Sequence, residues 1–200
     1  MTLDDTAQIK AQLRTDRLHA RDALTEEERA QKSKAAIDHL ITIIPPSALE
    51  VSSFLSIRSE INLETVLPIL RTRGHRVSLP AVLNKTTIEF RRFTTLETLV
   101  PAGFGTRAPS ADAEIVDPEV LIIPLSVFDR HGGRIGYGAG HYDRALERLE
   151  MQRPVLKIGC AFALQEADRV PFEAHDRPLD FVVTETEVIK CNAAQERVNP

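Results

Sequence analysis

Val120-Leu-Ile-Ile-Pro124 leads, after four residues, into Asp129-Arg-His-Gly-Gly-Arg134-Ile-Gly136-Tyr-Gly138-Ala-Gly140-His-Tyr-Asp143-Arg144, and a helical pattern then runs to Glu150. An apolar run without polar alternation is the mark of a strand covered on both faces. A buried strand, a glycine-rich junction and a helix make the repeating unit of an α/β sheet. Alternating glycines let the backbone approach a ligand closely. Free amides at a helix start, reinforced by the positive end of the helix dipole, form an anion site, so phosphate is the natural guest. No Gly-Lys-Ser/Thr follows, and His141 stands where a dinucleotide fingerprint has its third glycine, so neither standard phosphate motif applies. The plain alternative is a turn without a ligand. Arg134, Arg144 and Asp143 flank the glycines with charges that a mere turn does not require, and Asp143 can hold Mg²⁺ on a polyphosphate, since magnesium takes one or two carboxylates plus phosphate oxygens.

The rest of the chain extends the same pattern in both directions. Residues 3 to 22 read as a helix, with Ile9, Leu13, Ala20 and Leu24 on one stripe. Thr25-Glu-Glu-Glu28 spells a capping box that opens a second helix to about Ile43, and Pro45-Pro46 ends it. Leu49 to Ser56 reads as a strand, followed by a helix capped by Asn62, buried through Leu63, Val66, Leu67 and Leu70, and closed at Gly74. His75 to Leu83 and Thr87 to Phe93 are expected as two strands around a turn at Asn84-Lys85. Val100 to Pro118 reads as a long surface loop, Val155 to Phe162 and Phe181 to Thr184 as buried strands, and the last ten residues as a frayed tail. The sum predicts one domain over residues 1–200, an α/β fold with a mostly parallel sheet and helices on both faces.

Composition bounds the function. Nine glycines in 200 residues fall below the usual ~7%, yet five of them occupy positions 132 to 140. Lys plus Arg is 25 against 29 Asp plus Glu, a net charge of −4, so the chain lacks the basic excess that non-specific nucleic-acid binding draws on. The first residues have no secretory pattern and no apolar run approaches the ~18 residues that span a bilayer, so a cytoplasmic protein without membrane contact is expected. Cys160 and Cys191 form no CxxC pair and are read as reduced thiols.

Further candidates come from outside the glycine segment. Lys10, Arg14, Arg17 and Arg21 recur so that all four point within roughly 60° on one helix face. For Lys10 and Arg14 a phosphate role and a solvated role stand level, whereas Arg17 and Arg21 read as a solvated face paired with Asp16 and Asp22. Glu60 lies where a strand gives way to a helix, the place where open α/β sheets bind ligands. It is either an acceptor for ligand N–H groups or a first-turn acid favoured by the helix dipole. Asp180 is a possible second carboxylate near Asp143, and His141 reads as a pocket wall rather than a metal ligand.

With these pieces in place, Gly133-Arg-Ile-Gly-Tyr-Gly-Ala-Gly-His-Tyr-Asp-Arg144 closely resembles the signature of the 5-formyltetrahydrofolate cyclo-ligases, also called 5,10-methenyltetrahydrofolate synthetases. Lys10 and Arg14 match that family's amino-terminal Lys-x-x-x-Arg. Phe54-Leu55-Ser56 through Ser59-Glu60-Ile61 match its folate segment, and Leu179-Asp180 through Thr184-Glu185 its closing strand. The resemblance spans about residues 10 to 185. It implies a three-layer α/β/α fold, and ATP phosphates held by Lys10, Arg14, Arg134, Ile135, Gly136, Tyr137, Gly138, Ala139, Gly140, His141 and Tyr142. It further implies Mg²⁺ on Asp143 and Asp180, and a reduced folate touching Leu55 and Glu60, with Tyr137 to His141 bordering both ligands. His141 departs from the tyrosine that many members carry, and Ala108 from their glutamate before proline.

The implied reaction is ATP-driven cyclisation of 5-formyltetrahydrofolate to 5,10-methenyltetrahydrofolate, with Lys10, Arg14 and Arg134 stabilising the charge of the transferring phosphoryl group; separately, a monomer is expected. No Ser-His-Asp or Cys-His constellation is needed, because the attacking nitrogen belongs to the substrate. Two rivals are a paralogue that binds nucleotide or folate without turnover, and an enzyme of related architecture acting on a phosphorylated sugar.

Overall fold

The protein is described by a computed structural model covering residues 3–47, 49–102, 106–173 and 176–191. Helices α1 (Leu3–Asp22) and α2 (Glu26–Ile43) are separated by the expected capping box. Thr25 Oγ1 accepts from the Glu28 amide at 3.2 Å, and the Glu28 carboxylate accepts from the Thr25 amide at 2.8 Å. The chain continues through β1 (Glu50–Ser52), α3 (Val66–Thr72), β2 (Arg76–Val82), β3 (Ile88–Arg92), β4 (Leu99–Pro101), β5 (Arg107–Pro109), β6 (Ile115–Val116) and β7 (Val120–Pro124). It ends with β8 (Val127–Phe128), β9 (Arg134–Ile135), α4 (His141–Glu150), β10 (Leu156–Cys160), β11 (Phe181–Val183) and β12 (Val188–Lys190).

Eight strands form one sheet in the order β12-β11-β10-β7-β1-β2-β3-β6. The five central strands β11, β10, β7, β1 and β2 run parallel, and β3, β6 and β12 join antiparallel at the margins. The doubly buried strand is β7: Leu121 and Ile123 pack with Ala145, Leu146 and Leu149 of α4, whereas Val120 and Ile122 pack with Leu40 of α2 and Leu67 and Leu70 of α3. The alternation of side chains along a strand thus feeds two cores. The result is the expected α/β/α layering around a mostly parallel sheet. From β1 the chain proceeds to β2 on one side and returns to β7 on the other, so the space beyond the carboxyl ends of β1 and β7 is a topological switch point.

Four local expectations change. The strand read as Leu49 to Ser56 stops at Ser52, because the following residues leave the sheet while still burying Phe54, Ile61 and Leu63. The apolar residues past Ser52 serve burial rather than sheet pairing. Asn62 caps no helix; its Oδ1 accepts from the Glu64 amide at 2.9 Å in a local turn, and α3 begins at Val66. The long loop contains the β4–β5 hairpin and edge strand β6, which bury Leu99 and Ala108. The glycine segment itself opens with a hairpin of β8 and β9, pairing Val127 with Ile135 and Phe128 with Arg134.

Cys160 and Cys191 are both free thiols, and burial pushes the Cys160 pKa up, so it behaves as a small apolar core residue. Among the described residues no helix is long and apolar enough to cross a membrane. The tail beyond Cys191 lies outside the described residues.

Candidate active site

A cleft of about 530 Å³ opens at the switch point, and its walls come from segments far apart in sequence. Leu13 of α1 packs against Val127, Ile135, Ala167 and Val170, which docks α1 on the β8–β9 hairpin. That contact carries Lys10, one turn earlier, and Arg14, the next residue, to the glycine segment. Arg14 Nε donates to the Gly136 carbonyl at 2.8 Å. Arg134 leaves β9 and meets Asp143, in the first turn of α4, with Nη2 2.7 Å from Oδ1. The Arg177 amide donates to the same Oδ1 at 3.2 Å. Arg134 is almost fully buried, and its Nε has no hydrogen-bond partner among the described residues.

Lys10 is held more firmly than its helix pattern suggested. Its Nζ lies 2.6 Å from Glu173 Oε2 and 2.7 Å from Asp176 Oδ2. Burial disfavours the ammonium, but the hydrogen bonds and charges of Asp176 and Glu173 outweigh it and raise the Lys10 pKa. Burial alone lowers that of Arg14. Three cations, Lys10, Arg14 and Arg134, therefore face three carboxylates, Asp143, Glu173 and Asp176, in one cleft wall. A polyanion entering here competes with the protein's own carboxylates for the same donors.

Another part of the lining is largely apolar: Phe54 and Leu55 follow β1, and Leu79, Pro80 and Val82 belong to β2. One carboxylate, Glu60, interrupts it. Its Oε2 accepts from the Ile57 amide at 2.9 Å, while Oε1 is buried without a partner among the described residues. Burial pushes the Glu60 pKa up, against the pull of the Ile57 amide and the Arg21 charge. A buried unsatisfied acceptor that borders a cleft is suited to ligand N–H donors, which repay its desolvation cost. Tyr137 also lines the cleft, and partial burial together with the nearby Glu60 charge raises its phenol pKa.

The helix start is tied to the turn between β2 and β3. A His141 ring nitrogen lies 3.1 Å from the Asn84 carbonyl, and Arg144 Nε donates to the Thr86 carbonyl at 2.6 Å. His141 also lines the cleft. Arg144 serves backbone carbonyls and holds the loop in shape rather than presenting its charge to the cleft.

The cleft collects Lys10, Arg14, Leu55, Glu60 and every residue from Arg134 to Asp143. It does not include Asp180. That residue immediately precedes β11, where its carboxylate accepts from the Lys157 amide at 2.8 Å and borders a separate depression with Glu150, Met151 and Pro154. Asp143 and Asp180 lie at opposite ends of α4, so the expected pairing around one Mg²⁺ is not formed. Asp180 instead pins the start of β11 to β10.

Arg21 also departs from expectation, being 1% exposed rather than solvated. Glu173 and Asp176 had no signal in the sequence, because they sit more than 160 residues from the lysine they contact.

Asp143 is a cleft carboxylate whose donor chemistry suits a magnesium ion, and in this structure it is ion-paired to Arg134. Its carboxylate borders the cleft beside the glycine loop, and no cluster of three or more His, Cys, Asp or Glu that could chelate a bare ion exists among the described residues. Phosphate oxygens would have to complete the shell, which is the usual magnesium arrangement.

Comparison with known proteins agrees with this architecture. The profile of the 5-formyltetrahydrofolate cyclo-ligase family matches residues 6–185. The 5-formyltetrahydrofolate cyclo-ligase of Escherichia coli K12 is 31% identical over 175 residues, covering 84% of this chain and 96% of that one. The Haemophilus influenzae protein of the same name is 27% identical, covering 86% and 95%. The solution structure of Aquifex aeolicus 5,10-methenyltetrahydrofolate synthetase superposes with a TM-score of 0.78 at 30% identity, covering 96% of each chain. The chain belongs to the 5-formyltetrahydrofolate cyclo-ligase family, a family of ligases.

Proposed function

We propose that the chain uses ATP to cyclise 5-formyltetrahydrofolate to 5,10-methenyltetrahydrofolate, releasing ADP and phosphate. The observation that carries this reading is the meeting of two chemically unlike walls in one cleft. One has the cations and backbone amides that suit a triphosphate, the other apolar side chains and a single unsatisfied carboxylate that suit a flat heterocycle bearing N–H groups.

The chemical obstacle is the formyl oxygen, a poor leaving group. That oxygen attacks the γ-phosphorus, and ADP departs. N10 of the same folate then adds to the formyl carbon, the C–O bond breaks, and phosphate leaves with the oxygen and the N10 proton. The enzyme needs alignment and charge stabilisation rather than a nucleophile of its own.

Lys10, Arg14 and Arg134 supply positive charge to the transferring group, and the amides from Gly136 to Tyr142 line the phosphates. The buried setting of Arg134 strengthens its effect, because water screens it poorly there. Asp143 would hold Mg²⁺, which when bound offsets polyphosphate charge. Glu60 accepts from the heterocycle, and Leu55 packs against it.

The test mixes purified protein, ATP, Mg²⁺ and 5-formyltetrahydrofolate and follows methenyl absorbance together with ADP release. Folate-dependent formation of both products in equal amounts is expected. Binding of either ligand by folded protein without turnover would replace this reading with that of a binding paralogue.

A further inference from the structure

Arg21 stands in the last turn of α1, outside the cleft, yet its side chain is among the most buried in the protein. Nε donates to Ser59 Oγ at 3.0 Å and Nη2 to the Tyr137 hydroxyl at 2.8 Å. Ser59 in turn donates to the Asp22 carboxylate. The guanidinium carbon lies 5.9 Å from the centre of the Tyr137 ring, and that of Arg58 lies at the same distance. Among the described residues Arg21 forms no ion pair, and its Nη1 is buried without a partner.

A buried cation without a carboxylate partner is costly, so simple docking of α1 does not account for it. Its contacts run to the two segments that build the folate side, Ser59 beside Glu60 and Tyr137 in the glycine loop.

We propose that Arg21 is a positioning residue for the folate side of the cleft: it fixes the Tyr137 ring in the wall and sets a positive charge behind Glu60. This rests on the function proposed above and adds a residue to it. Arg21 does not border the cleft, so it acts through Tyr137 and Glu60, which do. Its charge favours an ionised Glu60, against the burial that pushes the carboxyl the other way. Tyr137 keeps its place through a charge-assisted hydrogen bond, which Arg21 provides, and through cations near its ring, which Arg21 shares with Arg58.

The experiment compares R21M, R21K, Y137F and R21M/Y137F with the wild type. It uses steady-state kinetics with each substrate varied, equilibrium binding of 5-formyltetrahydrofolate, and thermal melting. R21M is expected to raise KM and Kd for the folate about tenfold or more while KM for ATP stays within about twofold. R21K, which keeps a cation, recovers a large part of that loss. Because Arg21 acts partly through the tyrosine hydroxyl, adding Y137F to R21M costs less than Y137F costs alone.

Equal rises in both KM values, or losses that multiply in the double variant, would overturn the assignment. If R21M does not fold, R21Q with Y137F, which also lacks the cation, supplies the cycle and is read by the same criterion. Wild-type turnover is measured first: an inactive wild type removes the functional reading and this assignment together, whereas an active wild type with independent losses removes the assignment alone.

Discussion

The glycine segment divides at Ile135 into two halves that look alike in sequence and differ in purpose. Gly132 and Gly133 belong to the β8–β9 turn, where Asp129 is buried and accepts from the His131 and Gly133 amides at 2.9 and 2.8 Å and from Val170 at 2.8 Å. A Cβ on Gly132 would lie 2.6 Å from the Leu179 carbonyl, at a φ of +90°. Gly136, Gly138 and Gly140 instead line the cleft, and a Cβ on Gly136 would meet nothing within 4 Å. The first half is glycine because protein is packed against it. The second presents backbone to the cleft: Gly138 and Gly140 also adopt φ of +99° and +63°, and a Cβ on Gly140 would lie 2.9 Å from Arg144 Nη1, whereas Gly136 has neither constraint and leaves its approach open.

Substitutions at the two ends of the segment break this contrast most directly. Gly132→Ala is expected to cost about 2–4 kcal/mol of folding stability, from overpacking against backbone and an unfavourable φ. Urea denaturation measures it, and a change below about 1 kcal/mol would mean that the turn yields easily.

Arg134→Ala, at the divide, should lower kcat/KM at least about tenfold while the fold survives. A near-wild-type rate in steady-state assays would remove Arg134 from the charge work.

Glu60→Gln extends the test to the other wall. A carboxyl whose folded pKa is raised binds more protons in the native state, so its contribution to stability falls as pH rises from the ordinary carboxylate value through the folded one. Glu60→Gln should therefore gain in melting temperature relative to wild type from acid to neutral pH, while folate kcat/KM drops roughly tenfold. A melting difference that is flat with pH would show that Glu60 costs nothing when ionised.

Gly136→Ala is the mildest change. Stability should stay within about 0.5 kcal/mol of wild type, and KM for ATP should rise a few-fold as the added methyl narrows the approach. Unchanged nucleotide kinetics would place the phosphates elsewhere along the loop.

Much of this was legible in sequence because the interactions are local. The capping box at Thr25 and Glu28 acts within three residues, and the Val120 to Ile123 run needs only its own apolarity to declare a strand buried on both faces. The motif residues of the cleft were legible as types: cations at helical spacing, glycines before a helix, an acid after a strand. Their environments were not. Arg21 and Arg14 lie on the same helix stripe, yet one is sealed under the Ser59 segment and the other reaches Gly136. Asp143 and Asp180 read as equals until α4 separated them.

The sequence by itself determined the alternation of strands and helices, the site-bearing loop and the sign of its charges, because periodicity, capping and turn chemistry act over a few residues. Tertiary structure alone decided which glycines pack and which line the cleft, that Lys10 is clamped by Glu173 and Asp176, and that Arg21 is buried behind Tyr137. These depend on where distant segments meet, and burial and ion pairing exist only after they have met.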